Sequence, residues 1–535
     1  MTYDPALLPA GPARLLGLGC TGRSHSARLA EAALAAAGNA ASPEQGAMLL
    51  ELGVDFLLAA WEADPLNGRL AAMLLSLAGK LPILPRPVLE TLNAVAGSWR
   101  EPDNTAYLDR LADAGEPERL ARYLADSAKR EPGNLAWPQR LARLGLEAGD
   151  PALVRTALAG LSEPSGRAAS LRGAALPLLA DAALAATPDK ALRPASEAAA
   201  GLPLPDALSR LARAMLAAGD PEKARQTLRR SLQTRPWRSS DRLLLRELEQ
   251  GTPEDAPLPG RLRVLLAGSD PAALDATLAA LAPELPGNAR VAALALGNPE
   301  AAALLRLWGE RLGHRLDLEE LPLDPGRPAA RNWLLARDGN RNADWLLFAD
   351  AGAVPAPGWA GRLGAALAAN PEAAVLGCRV LAAGNPGRVL AVDGGLLFGL
   401  EDELGQHTAL GGGRVLLAPA DLHADLPDLG RFGYTRPCLF AAGAFLLVRA
   451  DALGQERCDL RFSPQAHDDT DLGLRLALAG KRTVYAGRLA VTAPACDTPG
   501  VESANLYKLQ MKIDADQVRA LAAAQAALHA PALAG

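Results

Sequence analysis

Apolar and polar positions follow one rhythm up to about residue 250 and another beyond it. In the first part, phrases such as LARAMLAAGDPEKARQTLRRSLQTRP predict paired helices: a small-residue helix, a Gly-Asp-Pro turn, then a second amphipathic helix. In the second part LRVLLAG (Leu262 to Gly268) is a short unbroken apolar run, which predicts a buried strand. DPAALDATLAALAPEL predicts a helix capped by Asp270, and ARVAALALG a second strand. EAAALLRLWGERLG supplies another helix, DPGRPAARNWLLARDG a loop running into a helix, and ADWLLFAD a strand that ends in acid. Strands alternating with helices in this way predict a parallel sheet with helices packed on it. Further on, TDLGLRLALAG predicts a helix whose Leu472, Leu476 and Ala479 share a buried face, and the tail from Asn505 to Ala530 predicts one terminal helix.

The first rhythm repeats. GEPERLARYL, GDPALVRTAL, TPDKALRPAS and GDPEKARQTL place Pro117, Pro151, Pro188 and Pro221 at intervals of 34, 37 and 33 residues, the spacing of a two-helix unit. Pro132 and Pro236 each follow one of these prolines by 15 residues and end a helix. The pattern resembles tetratricopeptide repeats, with most large aromatic consensus positions missing. A stacked array of that kind presents a concave surface to a peptide or partner protein, or serves only as a spacer. The expected organisation is a helical N-terminal segment over 1–41, a repeat region over 42–250, a linker over 251–260 where proline, glycine and acids cluster, an α/β domain over 261–500 and a C-terminal helix over 501–535.

Composition narrows the classes. Apolar residues make up 49% and aromatics only 4%, which suits globular cores of leucine, alanine and valine and argues against disorder. A formal net charge of -5 gives no basic field for nucleic acid or anionic lipid. Cys20, Cys378, Cys438, Cys458 and Cys496 lack CxxC spacing, so neither a zinc site nor a disulfide framework is expected, and a reducing cytoplasm fits. ARLLGLGCTG around Cys20 is too short and too close to Asp4 to serve as a lipoprotein signal. Asp181 interrupts even AALPLLADAALAA, so no membrane span is expected.

Candidate chemistry concentrates in AHDDTDLG. Asp468, Asp469 and Asp471 crowd like charges together, a cost that is met if they cap a helix, bind a cation or transfer a proton. His467 reads as a surface histidine, the alternatives being a contact to phosphate or to Asp469. Asp350 ends an apolar strand, where open α/β sheets gather ligands, though a strand-end aspartate also serves as a turn cap. In the loop-rich stretch from Ala409 to Cys438, Tyr434 and Arg436 can stack on or hydrogen-bond a ligand, or simply pack; Gly411, Gly412 and Gly413 lack the Lys-Ser/Thr and helix of a P-loop.

Five phrases in fixed order, GRPAARNWLL, WLLFADAGAVPAPGW, FAAGAFLLVRADAL, CDLRF and HDDTDLGLRLALAGKRTVYA, resemble the GT-A fold of family 2 glycosyltransferases. The resemblance implies a nucleotide-diphospho-sugar-binding, mixed-sheet α/β domain behind the α-helical repeat array. It implies a nucleotide-sugar donor and a sugar, glycan or protein acceptor. By position, Asp350 matches the first acid of the family's Asp-x-Asp motif, which grips a divalent metal (Mn or Mg) and the donor. Asp469 matches the catalytic base, with Asp468 in place of the usual glutamate and Asp471 the next acid. Arg331 and Asn332 match the element below the donor, and Gly443 and Ala444 the small pair on the acceptor side. Direct attack through Asp469 would invert the anomeric centre.

Three departures bear on activity. Gly352 stands where the second acid of Asp-x-Asp is expected; Asn298 and Glu300 replace the acid-rich turn that holds the nucleotide base; and Thr492 stands near where a histidine is common. Phosphate would then fall to arginines such as Arg331 and Arg461. The alternative is a catalytically silent GT-A module that works with the helical repeats as a binding or scaffold protein.

Overall fold

The computed structural model describes residues 3–19, 22–78, 84–103, 105–161, 167–251, 253–337, 342–398, 417–420, 422–423, 426–495 and 499–533. Cys20, Cys496 and the glycines at 411 to 413 lie outside the described residues. The chain forms two compact units, Met1–Glu249 with Asp425–Arg431 and Ala532–Gly535, and Gln250–Ala424 with Phe432–Pro531.

The first unit is helical. At its Gly-Asp-Pro turns, Gly149 and Gly219 take φ of 65° and 79°, the left-handed conformation that ends a helix. Asp150 accepts hydrogen bonds from the amides of Ala152 (2.8 Å) and Leu153 (3.0 Å), and Asp220 from that of Lys223 (3.1 Å). Pro151 and Pro221 then open the helices Pro151–Leu158 and Pro221–Thr234, where a missing amide costs nothing. Pro117 opens Pro117–Arg130 in the same way, whereas Pro188 opens only a 3-10 turn, Pro188–Lys190. Asp181 is buried beneath Arg210, whose Nε donates to Oδ1 at 2.7 Å and Nη2 to Oδ2 at 3.0 Å. The surrounding stretch Ala169–Ala186 is long and apolar enough to cross a membrane by length and composition alone, and 56% of it is buried inside the protein.

The second unit is α/β. Its strands are β1 (Leu262–Gly268), β2 (Arg290–Leu296), β3 (Leu316–Leu321), β4 (Trp345–Asp350), β5 (Val354–Pro355), β6 (Val375–Ala382), β7 (Asn385–Ala391), β8 (Asp393–Gly394), β9 (Leu396–Phe398), β10 (Leu417–Pro419), β11 (Thr435–Cys438), β12 (Phe440–Ala441), β13 (Phe445–Arg449) and β14 (Thr483–Ala493). One mixed sheet runs in the order β11-β14-β6-β13-β4-β1-β2-β3, with β5 on β14 and β7 on β6. β4, β1, β2 and β3 are mutually parallel, and β13 lies antiparallel between β4 and β6. The helical region followed by a mixed-sheet α/β unit is the architecture expected from the sequence.

Both faces of the sheet are covered, which is why β1 reads as an unbroken apolar run. Helices α1 (Pro271–Leu281), α2 (Pro299–Leu312) and α4 (Trp359–Ala369) bury Leu274, Leu305 and Trp359 against Val264 and Leu266. Helices α3 (Arg327–Leu335) and α5 (Asp468–Leu478) bury Leu334, Leu472 and Leu476 against Leu265 and Phe348 on the other face. Ala479 does not join that face: it is the exposed C-cap of α5. Asp270 caps α1 as expected, accepting from the amide of Ala272. Asp255, Ala256 and Pro257 lie against α4, where the amide of Ala256 donates to the carbonyl of Gly361 at 3.1 Å.

The single terminal helix expected from the sequence is two, α6 (Pro499–Lys512) and α7 (Ala515–Leu533). Asp514 and Gln517 form a reciprocal cap between them, the Asp514 carboxylate accepting from the Gln517 amide (2.8 Å) and the Gln517 side chain from the Asp514 amide (3.1 Å). That capping box outweighs the continuous helical propensity of the tail.

Candidate functional site

β1 is flanked by β2 on one side and β4 on the other, so the crevice beyond their carboxyl ends is where this topology opens. Asp350 ends β4 there, its amide fixed by the carbonyl of Ala444 at 2.9 Å. Asp468 and Asp469 open α5 on the neighbouring side. Helix α3 brings them together. Arg327 and Arg331 sit one turn apart on its same face, and the two guanidinium groups bridge the acids. Arg331 Nη2 donates to Asp350 Oδ1 (2.8 Å) and to the Gly443 carbonyl (2.6 Å), while Nη1 reaches Asp468 Oδ2 (3.2 Å). Arg327 Nη1 donates to Asp350 Oδ2 (3.2 Å) and Nε to Asp468 Oδ1 (3.0 Å). Its Nη2 also bonds Asp468 and stands 3.7 Å from Asp469 Oδ1.

Asp468 and Asp469, adjacent in sequence, differ in surroundings. The Asp468 side chain is 0% exposed and is consumed by the two arginines. Asp469 reaches a cavity: its Oδ2 accepts from the Gly443 amide (2.7 Å) and its Oδ1 from its neighbour Thr470 (2.8 Å). Burial opposes ionisation of Asp469, but Arg327, Arg331 and those two amides outweigh it and hold the carboxyl below the ordinary aspartate value. Gly443 is required for this approach, because a Cβ there would lie 2.8 Å from Asp469 Oδ2 and 2.9 Å from Arg331 Nη1.

The cavity has a volume of about 480 Å³ and is lined by Asp393, Phe440, His467, Asp469, Glu502 and Ser503 among others. His467 is therefore not a surface histidine as the sequence suggests. Tyr434 is buried behind the cavity, its hydroxyl donating to Asp393 at 3.3 Å, and Arg436 pairs with that same carboxylate. Neither lines the pocket expected to receive an acceptor. Asn332 braces Cys458 through two backbone hydrogen bonds, to its carbonyl (2.7 Å) and from its amide (2.8 Å). Ala444 contributes its carbonyl to Asp350 and packs its methyl on the sheet core. Asn298 caps α2, accepting from the Glu300 amide, and its side-chain amide is tied to the Ser269 carbonyl. Arg461 is paired with Asp459.

The divalent cation that the family resemblance implies does not fit these residues. Both oxygens of Asp350 accept from guanidinium groups. Gly352, at the second acid position, has φ +87°, and a Cβ there would meet Pro494 Cγ at 2.8 Å, so a side chain at that point is both strained and crowded. The Thr492 hydroxyl is turned to the Val354 carbonyl (3.4 Å). Among the described residues no group of three or more His, Cys, Asp or Glu side chains could hold a metal ion. Manganese at millimolar concentration should accordingly leave the melting temperature where EDTA leaves it. Gly352→Asp should create no Mn2+ dependence and should destabilise the chain by about 1–3 kcal/mol through the left-handed backbone alone. Thermal melts of both proteins with Mn2+ and with EDTA decide the point.

The arginine that the sequence reading passed over is Arg327. Its signal was present, since RPAAR places two arginines at i and i+4 at the start of a helix that enters the crevice.

No protein-family model matches the chain, and no curated protein does. Solved structures with a partial likeness include GalNAc-T7 with UDP, GalNAc and Mn2+, at 12% identity and a TM-score of 0.33, covering 44% of this chain and 43% of that one. Another is the mannosyltransferase PcManGT from Pyrobaculum calidifontis in complex with GDP-Man and Mn2+, at 15% identity and a TM-score of 0.34, covering 61% of this chain and 84% of that one. The chain thus spans less than half the length of the first.

Proposed function

We propose that the α/β unit is a GT-A module of the family 2 type that transfers a sugar from a nucleotide-sugar to an acceptor hydroxyl. The observation that carries this reading is the position of Asp469, which lines the cavity and is at the same time tied through Gly443 and the arginines to Asp350 in the strand-end crevice. An acceptor hydroxyl in the cavity would attack the anomeric carbon of a donor whose diphosphate occupies the crevice. The hydroxyl proton passes to Asp469, the bond from the anomeric carbon to the phosphate oxygen breaks, and the nucleoside diphosphate leaves, with inversion at that carbon. Arg327, the guanidinium nearer to solvent, faces the departing charge. The helical unit, read as a tetratricopeptide-like array, would hold the partner that carries the acceptor.

A second reading rests on the ion pairs themselves. Because Asp350 is already occupied by two guanidinium groups, the module is also consistent with a silent fold that binds without turnover. Incubation with a panel of UDP-, GDP- and dTDP-sugars separates the two. Release of nucleoside diphosphate, with the product anomer read by NMR as inverted, supports transfer; donor binding without release supports the silent module, and absence of binding to every donor overturns the glycosyltransferase reading.

A further inference from the structure

The turn that delivers the acids to the cavity is strained and externally held. Ala466 and His467 adopt φ of 76° and 63°, two consecutive left-handed residues with side chains, a conformation that persists only where its surroundings enforce it. The enforcing group is Asn505 on α6, which is fully buried. Its side-chain amide nitrogen gathers three carbonyls of the same loop, those of Phe462 (2.9 Å), Gln465 (2.7 Å) and Ala466 (3.1 Å), with one of its two hydrogens shared. The same helix lines the cavity with Glu502, Ser503 and Leu506. A chain that needed only to start α5 would have no use for this arrangement, because an N-terminal cap is available from extended backbone.

What the strain accomplishes is the placement of His467. The ring lines the cavity beside Asp469, and its Nε2 is buried with no hydrogen-bond partner among the described residues. Burial pushes the imidazole below its ordinary value, against the opposing pull of Asp469, Glu502 and Asp468 and with the help of Arg327. A neutral ring can donate at one nitrogen and accept at the other.

We propose that His467 is an acceptor-binding residue, held in place by Asn505, and that the cavity takes an uncharged polyhydroxylated acceptor, a neutral sugar. This rests on the glycosyltransferase reading for the identity of the site. The charge of the lining supports the choice of class. Asp469 and Glu502 face the space, Asp393 is neutralised by Arg436, and among the described lining residues there is no lysine or arginine to welcome an anionic sugar. Phe440 and Leu506 offer the apolar surface on which a sugar ring packs.

The test uses the full-length protein with methyl glycosides of glucose, galactose, mannose and N-acetylglucosamine, and methyl glucuronide as the anionic comparison. His467→Ala should raise the KM for a neutral glycoside at least tenfold and raise the donor KM far less. His467→Gln, which keeps a hydrogen-bonding group at the same reach, should restore most of that loss. Asn505→Ala should reproduce the KM defect although its side chain touches no ligand. An unchanged KM in His467→Ala, no rescue by glutamine, or preference for the glucuronide overturns the proposal. A second readout is independent of turnover: neutral glycosides, added without donor, should shift the His467 imidazole resonance, identified by its loss in His467→Ala. A shift without any donor turnover sustains the binding assignment and defeats the transferase reading, whereas donor turnover with a stationary resonance defeats the assignment alone.

Discussion

Asp469→Asn should lower sugar transfer by two to four orders of magnitude, the usual contribution of a positioned general base, while donor binding is retained. An asparagine can still accept from one of the two amides that now hold the carboxylate, Gly443 or Thr470, but its NH2 must face the other. That mismatch should cost about 1–3 kcal/mol of stability, so the variant folds and the loss is chemical. The pH profile gives an independent check. Because Arg327 and Arg331 overcome the effect of burial and hold Asp469 below the ordinary value, the carboxylate remains a base under mildly acidic conditions, and the acid limb of kcat/KM should lie below the ordinary aspartate range. The same shift makes Asp469 a source of stability that is present above its unfolded pKa and lost as pH falls through the lower folded one. An Asp469→Asn protein that transfers sugar within tenfold of the wild-type rate would remove the base from the mechanism.

How much of this could be read from the chain depended on the range of each interaction. Local signals carried well: the unbroken apolar run of β1, the acid at the end of β4, and the aspartates that open α5 are fixed by residues within one element. The Gly-Asp-Pro turns also carried, because glycine, capping aspartate and proline each act on the backbone of their own turn. The break between α6 and α7 was legible as Asp514 and Gln517, three residues apart, yet was hidden by the helical composition around it. What composition and spacing could not show was where long side chains end. Tyr434, expected at the acceptor, is spent on Asp393, and Asn332 on Cys458, choices set by partners 41 and 126 residues away. Asn505 holds a loop about 40 residues before it, and nothing in its local sequence marks it as other than a helix residue.

The stability of the centre should depend most on Arg331. It is buried, donates to Asp350, Asp468 and the Gly443 carbonyl, and lies over the Phe348 ring with its guanidinium carbon 5.4 Å from the ring centroid. Arg331→Met preserves much of the apolar stem and removes the fork, leaving the fully buried Asp468 with Arg327 alone and the Gly443 carbonyl without its donor. Breaking a buried pair in this way costs about 3–5 kcal/mol, and the continuing bonds from Arg327 place the expected loss toward the lower end. Arg331→Lys should recover little, since a single ammonium cannot reach Asp350, Asp468 and Gly443 in the plane that the guanidinium spans. The diagnostic comparison is the double variant Arg331→Met with Asp468→Asn. If the penalty arises from stranding a buried charge, neutralising Asp468 should return part of it, and the two substitutions should be less than additive in denaturant unfolding. Additive losses would mean that Arg331 acts through packing on Phe348, and an unchanged unfolding midpoint in Arg331→Met would mean that the acids are held by Arg327 without it.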